Sequence, residues 1–183
     1  GRPTSYMIDD ALWLGQRLGM DTIYLPTVEH LTGIALLSRY PIVDARTQLL
    51  PSHLEQTGVI WASLDTGGAP TNAFAIWMGL TPAERERQLD AALPFLAAHP
   101  GPAFFGGDFN ATPETPVYGR IQDAGFEDPF SVLGLSAPPT SPSTGPYERI
   151  DYVWLRDLTA VDAQVPVSFA SDHMPVVVEA TLP

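Results

Sequence analysis

Three stretches place acids, an amide and an imidazole where apolar runs stop. Phe104-Phe105-Gly106-Gly107-Asp108-Phe109-Asn110 carries two aromatics into two glycines, then an acid and an amide two residues apart. Ile150-Asp151-Tyr152-Val153-Trp154 sets an acid inside a strand-forming run. Ala170-Ser171-Asp172-His173-Met174-Pro175 puts an acid beside an imidazole just before a last apolar run. Strand ends of this kind can converge at one edge of a sheet. Magnesium and manganese prefer carboxylate, amide and water oxygens. Asp108, Asp151 and Asp172, with Asn110 and His173, are the types that hold such an ion and activate water against a phosphorus ester. A second carboxylate meeting the His173 imidazole would fix its tautomer and raise its basicity.

Each stretch also has a structural reading. Asp108 and Asn110 are ordinary turn formers that bond to their own backbone. Ser171-Asp172 suits a turn before the final strand, and a single histidine is more often structural than catalytic. Asp151 resists that treatment, because an acid buried in a strand is costly without a partner. The three stretches together weigh more than any one alone.

Composition narrows the classes. The 183 residues suit one domain, taken here as 1–183, and 45% apolar with 16% charged residues is globular rather than disordered. The 19 prolines and 15 glycines imply many turns. A formal charge of −12 repels a phosphate backbone, so duplex nucleic acid is a poor partner. The absence of cysteine excludes disulfides and thiolate chemistry and leaves the redox compartment open. No apolar run reaches the length that spans a bilayer.

The elements that must position these residues follow from patterning. Asp9 to Leu18 reads as a helix with Ala11, Leu12, Leu14 and Leu18 on its apolar face, stopped by Gly19. Strands are expected over 21–25, 33–38, 42–50, 59–64 and 72–77. Thr81-Pro82-Ala83-Glu84 supplies a cap, a proline at the first helical position and a Glu at the third. Leu89, Ala92, Leu93, Leu96 and Ala97 mark that helix's buried face. A short strand over 103–105 then completes a strand–helix–strand crossover. A helix over 116–124, a long Ser/Pro/Gly-rich surface loop over 131–146, and strands over 150–155, 161–167 and 176–180 finish the chain.

The motifs resemble the endonuclease/exonuclease/phosphatase superfamily, the magnesium-dependent phosphoesterases of the DNase I type. GGDFNATPETP at 106–116, RIDYVWL at 149–155 and SDHMPVVVEA at 171–180 look like that family's GDFN, second-acid and terminal SDH motifs, in order. GIALLSRYPI at 33–42 and GLTPAERERQLDAALPFL at 79–96 resemble two further family segments. The resemblance implies an α/β fold, a DNase I-like four-layered sandwich of two mixed β-sheets with outer helices. It implies Mg²⁺ and hydrolysis of a phosphoester by an activated water. Asp108 would position that water, Asn110 would contact the phosphate, and Asp172 with Asp108 would serve the metal. His173 would stand next to the scissile phosphate, and Asp151 would orient a histidine or the phosphate.

The departures matter as much. The family's Thr-His-Leu is here Ile76-Trp77-Met78, and an indole has one donor and no acceptor. An Arg that relatives often carry near the Val59 strand is absent from Glu55-Gln56-Thr57-Gly58. The family's first strands, with the Glu that is its principal metal ligand, have no counterpart, so the chain matches about the C-terminal three quarters of the usual domain. Either another chain or a cleaved segment completes the sheet, or the fold serves as a structural or interaction subunit. Retained Asp108, Asn110, Asp151, Asp172 and His173 argue for activity, the lost His and Arg for a degenerate site, and the balance falls slightly against efficient catalysis. The segments look most like bacterial membrane-associated or secreted members, and the charge suits a small or lipid phosphoester.

Overall fold

Alternation within two central strands sets the architecture. In the computed structural model, which describes residues 9–28 and 32–182, Val59, Trp61, Phe74 and Ile76 enter one core and Ile60, Ala62, Leu64, Ala73 and Ala75 enter another. A strand buried on both faces needs a layer on each side.

The sheet between those cores has the order β3 (Ile42–Leu49), β4 (Gly58–Leu64), β5 (Thr71–Trp77), β6 (Ala103–Asp108) and β7 (Asp151–Arg156). It is mixed: β5 and β6 run parallel, the other pairs antiparallel. The parallel pair is joined by helix α2 (Pro82–Ala97), the crossover the sequence predicts. Leu89, Ala92 and Leu96 of α2, with Val117 and Ile121 of α3 (Pro116–Asp123), cover the first face. The other face receives β1 (Asp21–Pro26) and β2 (Gly33–Ser38), an antiparallel pair that brings Leu25 and Leu36 onto Ile60 and Ala62. A second antiparallel pair, β8 (Thr159–Gln164) with β9 (Val177–Thr181), forms a separate sheet. The fold is thus α/β with a mixed sheet and outer helices, and the strands beyond the five-stranded sheet come as two pairs.

Two helix readings need correction. Asp9 caps α1 (Asp10–Leu18) and Gly19 ends it in the left-handed conformation, but only Ala11 and Gly15 are buried. Leu12, Leu14 and Leu18 are 41–52% exposed, because the side of α1 that meets β1 and β2 is the small-residue side. In α2, Ala97 is exposed and Leu93 half-buried, while Glu84, Arg85 and Gln88 are buried. Thr81 caps Glu84 N–H as expected. The Glu84 carboxylate turns instead to His53 N–H at 2.7 Å. Gln88 Oε1 accepts from Gly79 N–H and its Nε2 donates to Thr57 Oγ1. Buried polar groups must find partners, and these polar positions fasten the loops at the end of β5.

Candidate active site

Pairing register brings the two acids of the centre together. Asp108 ends β6, opposite Trp77 on β5 and opposite Asp151 on β7. Trp77, Asp108 and Asp151 therefore form one row across three strands, on the face away from Phe105 and Trp154. β6 runs three residues past the expected end at Phe105, so Asp108 belongs to the strand rather than to a turn after it. Gly107 makes this possible. Its φ is +150°, and a Cβ there would overlap the Ile76 carbonyl oxygen.

The chain then turns through Asn110, whose φ of 48° lies in the left-handed region that Asn tolerates. Asp108 Oδ1 accepts from Asn110 N–H at 2.9 Å. Asn110 Nδ2 donates to the Met78 carbonyl at 2.7 Å and reaches Asp108 Oδ2 at 3.3 Å. Asn110 is thus the turn former, and Asp108, the last residue of the strand, accepts across that turn while standing opposite Asp151. The amide nitrogen of Asn110 is committed to Met78, which leaves Oδ1 for any other contact.

His173 comes from the loop before β9. Its Nδ1 lies 2.9 Å from Asp151 Oδ2 and 3.1 Å from Oδ1. Burial pulls the imidazole pKa down, but the Asp151 hydrogen bond and the negative charges of Asp151, Asp108 and Asp172 outweigh it, so the net shift is upward. With Nδ1 bound to Asp151, Nε2 is the nitrogen free to act. Asp108 is pushed up to about 6, first by burial and then by the Asp151 and Asp172 charges, against the Asn110 hydrogen bond and His173.

Donor atoms of Asp108, Asp151 and His173 all lie within 4.8 Å of one another. Asp172 is exposed, accepts from Ser171 Oγ at 3.1 Å and lies outside that group, close enough to act on it only through charge. The oxygen donors fit a hard divalent cation: two carboxylates, with the Asn110 side-chain amide in the same turn, while the imidazole Nδ1 is engaged by Asp151. Asp108 forms no ion pair with an arginine among the described residues. A cavity of about 290 Å³ opens beside it, lined among others by Gly33, Ile34, Ala75 and Trp77.

One support was not legible from the motifs. Asp128 accepts two bonds from Arg149, at 2.7 and 2.8 Å, and a third from Tyr118 Oη. The Arg149 guanidinium lies over Tyr152 and Phe130. Tyr152 Oη in turn lies 2.9 Å from the carbonyls of both Ala111 and Arg149, which share its one proton. This buried cluster ties the chain after Asn110 to the start of β7. The only sequence signal was a basic residue placed before an apolar strand.

The Endonuclease/Exonuclease/phosphatase family model matches residues 5–173. The chain belongs to that family. Among curated relatives, a UPF0294 protein of Yersinia pseudotuberculosis is 30% identical over 154 residues, covering 82% of this chain and 49% of that protein. A UPF0294 protein of Vibrio vulnificus is 28% identical over 174 residues, covering 93% and 52%. The chain thus spans about half the length of these relatives. Solved structures agree on the fold. An endonuclease/exonuclease/phosphatase from Bacteroides vulgatus superposes with a TM-score of 0.79 at 17% identity, over 93% of this chain and 79% of that one. The human Nocturnin catalytic domain, with bound sulfate, gives 0.73 at 19%, over 96% and 78%. A mannosyl-6-phosphatase of Bacteroides thetaiotaomicron gives 0.76 at 16%, over 94% and 81%.

Proposed function

We propose that this site hydrolyses a small or lipid phosphoester with the help of a divalent cation, Mg²⁺ by the preference of oxygen donors. The observation that carries the reading is the row Asp108–Asp151 with His173 held on Asp151. Two acids facing each other on neighbouring strands raise each other's energy, and a bound cation would relieve it. Asp108, with Asp172 adding charge nearby, would hold the metal, which supplies Lewis acidity and a water of lowered pKa. Asp108 would orient the attacking water, and Asn110 Oδ1 would fix its approach beside the phosphate. His173, oriented by Asp151 and protonated on both nitrogens as an imidazolium, would donate from Nε2 to a phosphoryl oxygen. The solved neighbours named above include a phosphatase, which agrees with the reaction class.

Trp77 favours a second reading. It occupies the strand position next to Asp108, and an indole cannot stabilise phosphoryl charge as a cation would. In that reading the chain is a binding or structural subunit. In the hydrolytic reading another chain or a cleaved segment completes the sheet, pairing with edges that β1–β2 and β8–β9 leave open among the described residues. One experiment separates the two. Mg²⁺-dependent hydrolysis of a chromogenic phosphodiester is compared in wild type, Asp108→Asn and Trp77→His. The hydrolytic reading expects a fall of roughly a hundredfold in the first variant and a gain in the second. Equal rates in all three would leave only the subunit reading.

A further inference from the structure

The segment over 131–146 reads in sequence as a surface loop, yet Thr140 within it is 0% exposed and Ser143 is 6% exposed. A buried hydroxyl has to be matched by partners. Thr140 Oγ1 accepts from the backbone N–H of Ile150 at 3.1 Å and of Asp151 at 3.2 Å. Its carbonyl accepts from Met174 N–H at 2.7 Å. Three residues on, Ser143 N–H donates to the Asp172 carbonyl at 2.6 Å. The N–H groups of Thr140 and Ser141 are in turn anchored on the Glu148 carbonyl, at 2.7 and 2.9 Å.

The loop therefore grips the backbone at Asp151 and on both sides of His173. That matters because β7 and β9 are not neighbours in any sheet. No strand ladder sets the distance between the end that carries Asp151 and the loop that carries His173. We propose that Thr140 is a positioning residue: its hydroxyl and carbonyl hold the Asp151 and His173 segments at the separation where the two side chains bond. The catalytic consequence rests on the hydrolytic reading above, the positioning itself does not. A displacement of about an ångström at such a pair can cost on the order of a hundredfold in rate.

Thr140→Val keeps the shape and removes the acceptor, and Thr140→Ser keeps the acceptor and removes a methyl. Two readouts are taken with Mg²⁺ present: steady-state kinetics, and the low-field NMR resonance of the hydrogen-bonded His173 Nδ1–H. Thr140→Val is expected to lose that resonance and at least about tenfold in kcat with KM within about twofold, and Thr140→Ser to retain both. A Thr140→Val protein that keeps the resonance and the rate overturns the proposal. If wild type shows the resonance, Thr140→Val loses it and neither hydrolyses anything, the hydrolytic reading fails and the positioning role stands. If Thr140→Val does not fold, amide exchange in wild type decides: Asp151 and Met174 N–H must both exchange slowly, and rapid exchange at either overturns the proposal.

Discussion

At the residue scale, a buried carboxyl and a half-buried one draw opposite consequences from desolvation. Asp128 is desolvated, but the Arg149 fork, Tyr118 and Phe130 N–H outweigh that and hold it below its ordinary value. Asp108 is desolvated without a guanidinium partner and rises from 3.8 to about 6. The sign follows from proton binding. Between those two pH values the native chain keeps a proton that the unfolded chain has lost. This group's contribution is therefore fully present below about pH 4 and is lost as pH rises through 6. Above that, in metal-free buffer, the ionised carboxylate costs on the order of 3 kcal/mol. Asp108→Asn stays neutral throughout, so by calorimetry it should melt roughly 6–12 °C above wild type at pH 8, with the gap closing near pH 4. Millimolar Mg²⁺ should raise the wild type and leave the variant unmoved. Identical melting at both pH values would show that Asp108 carries no such cost.

At the element scale, what the sequence discloses and what it hides divide along physical lines. Strand existence was legible because period-two burial and Gly/Pro punctuation are local; Gly33–Ser38 is found with the expected bounds. The acid motifs were legible because three of them recur in one order, although Asp108 or Asp172 alone reads as well as an ordinary turn. The register that sets Asp108 opposite both Trp77 and Asp151 was not, since it arises between strands distant in sequence. Nor was the burial of Glu84, Arg85 and Thr140, which depends on partners in other loops. Gly107 shows how tightly that register is set. Gly107→Ala would drive a methyl into the Ile76 carbonyl on the adjoining strand, at a cost of several kcal/mol or outright misfolding. Gly106→Ala, where a Cβ meets nothing closer than 3.5 Å, should cost about 1 kcal/mol or less. Urea melts of the pair test this, and equal midpoints would show that β6 can shift. The Asp128–Arg149 pair gives the complementary case. Asp128→Asn leaves a buried guanidinium uncompensated, with an expected loss of about 3–5 kcal/mol. It should also loosen Asp151 through the chain that begins β7.

At the scale of the whole molecule, charge and uncovered surface are the governing quantities. All nine basic residues are arginines, and several are spent internally. Arg149 holds Asp128, Arg120 holds Glu86 and Asp90, Arg85 caps the Leu80 carbonyl, and Arg156 caps those of His99 and Gly101. The formal charge of −12 still disfavours a polyanion, which accords with the proposed small or lipid phosphoester. The uncovered surface is apolar and hydrogen-bonding. α1 exposes Leu12, Trp13, Leu14 and Leu18. Among the described residues β2 pairs only with β1 and β9 only with β8, so each pair keeps free edges, and the cavity beside Asp108 opens next to β2. An unpaired edge bonds to water or to another strand. β4 and β5, by contrast, are paired on both sides and buried on both faces. Native-state hydrogen exchange of this chain alone should therefore divide it. Amides of Val59 to Ala62 should exchange only through near-global opening, and the outward-facing amides of β2 and β9 orders of magnitude faster. Polypeptide that completes the layer should slow that second class and leave the first unchanged. Uniform protection of the chain by itself, at concentrations where it sediments as a monomer, would mean that the edges are already satisfied and that nothing further is needed to close the site.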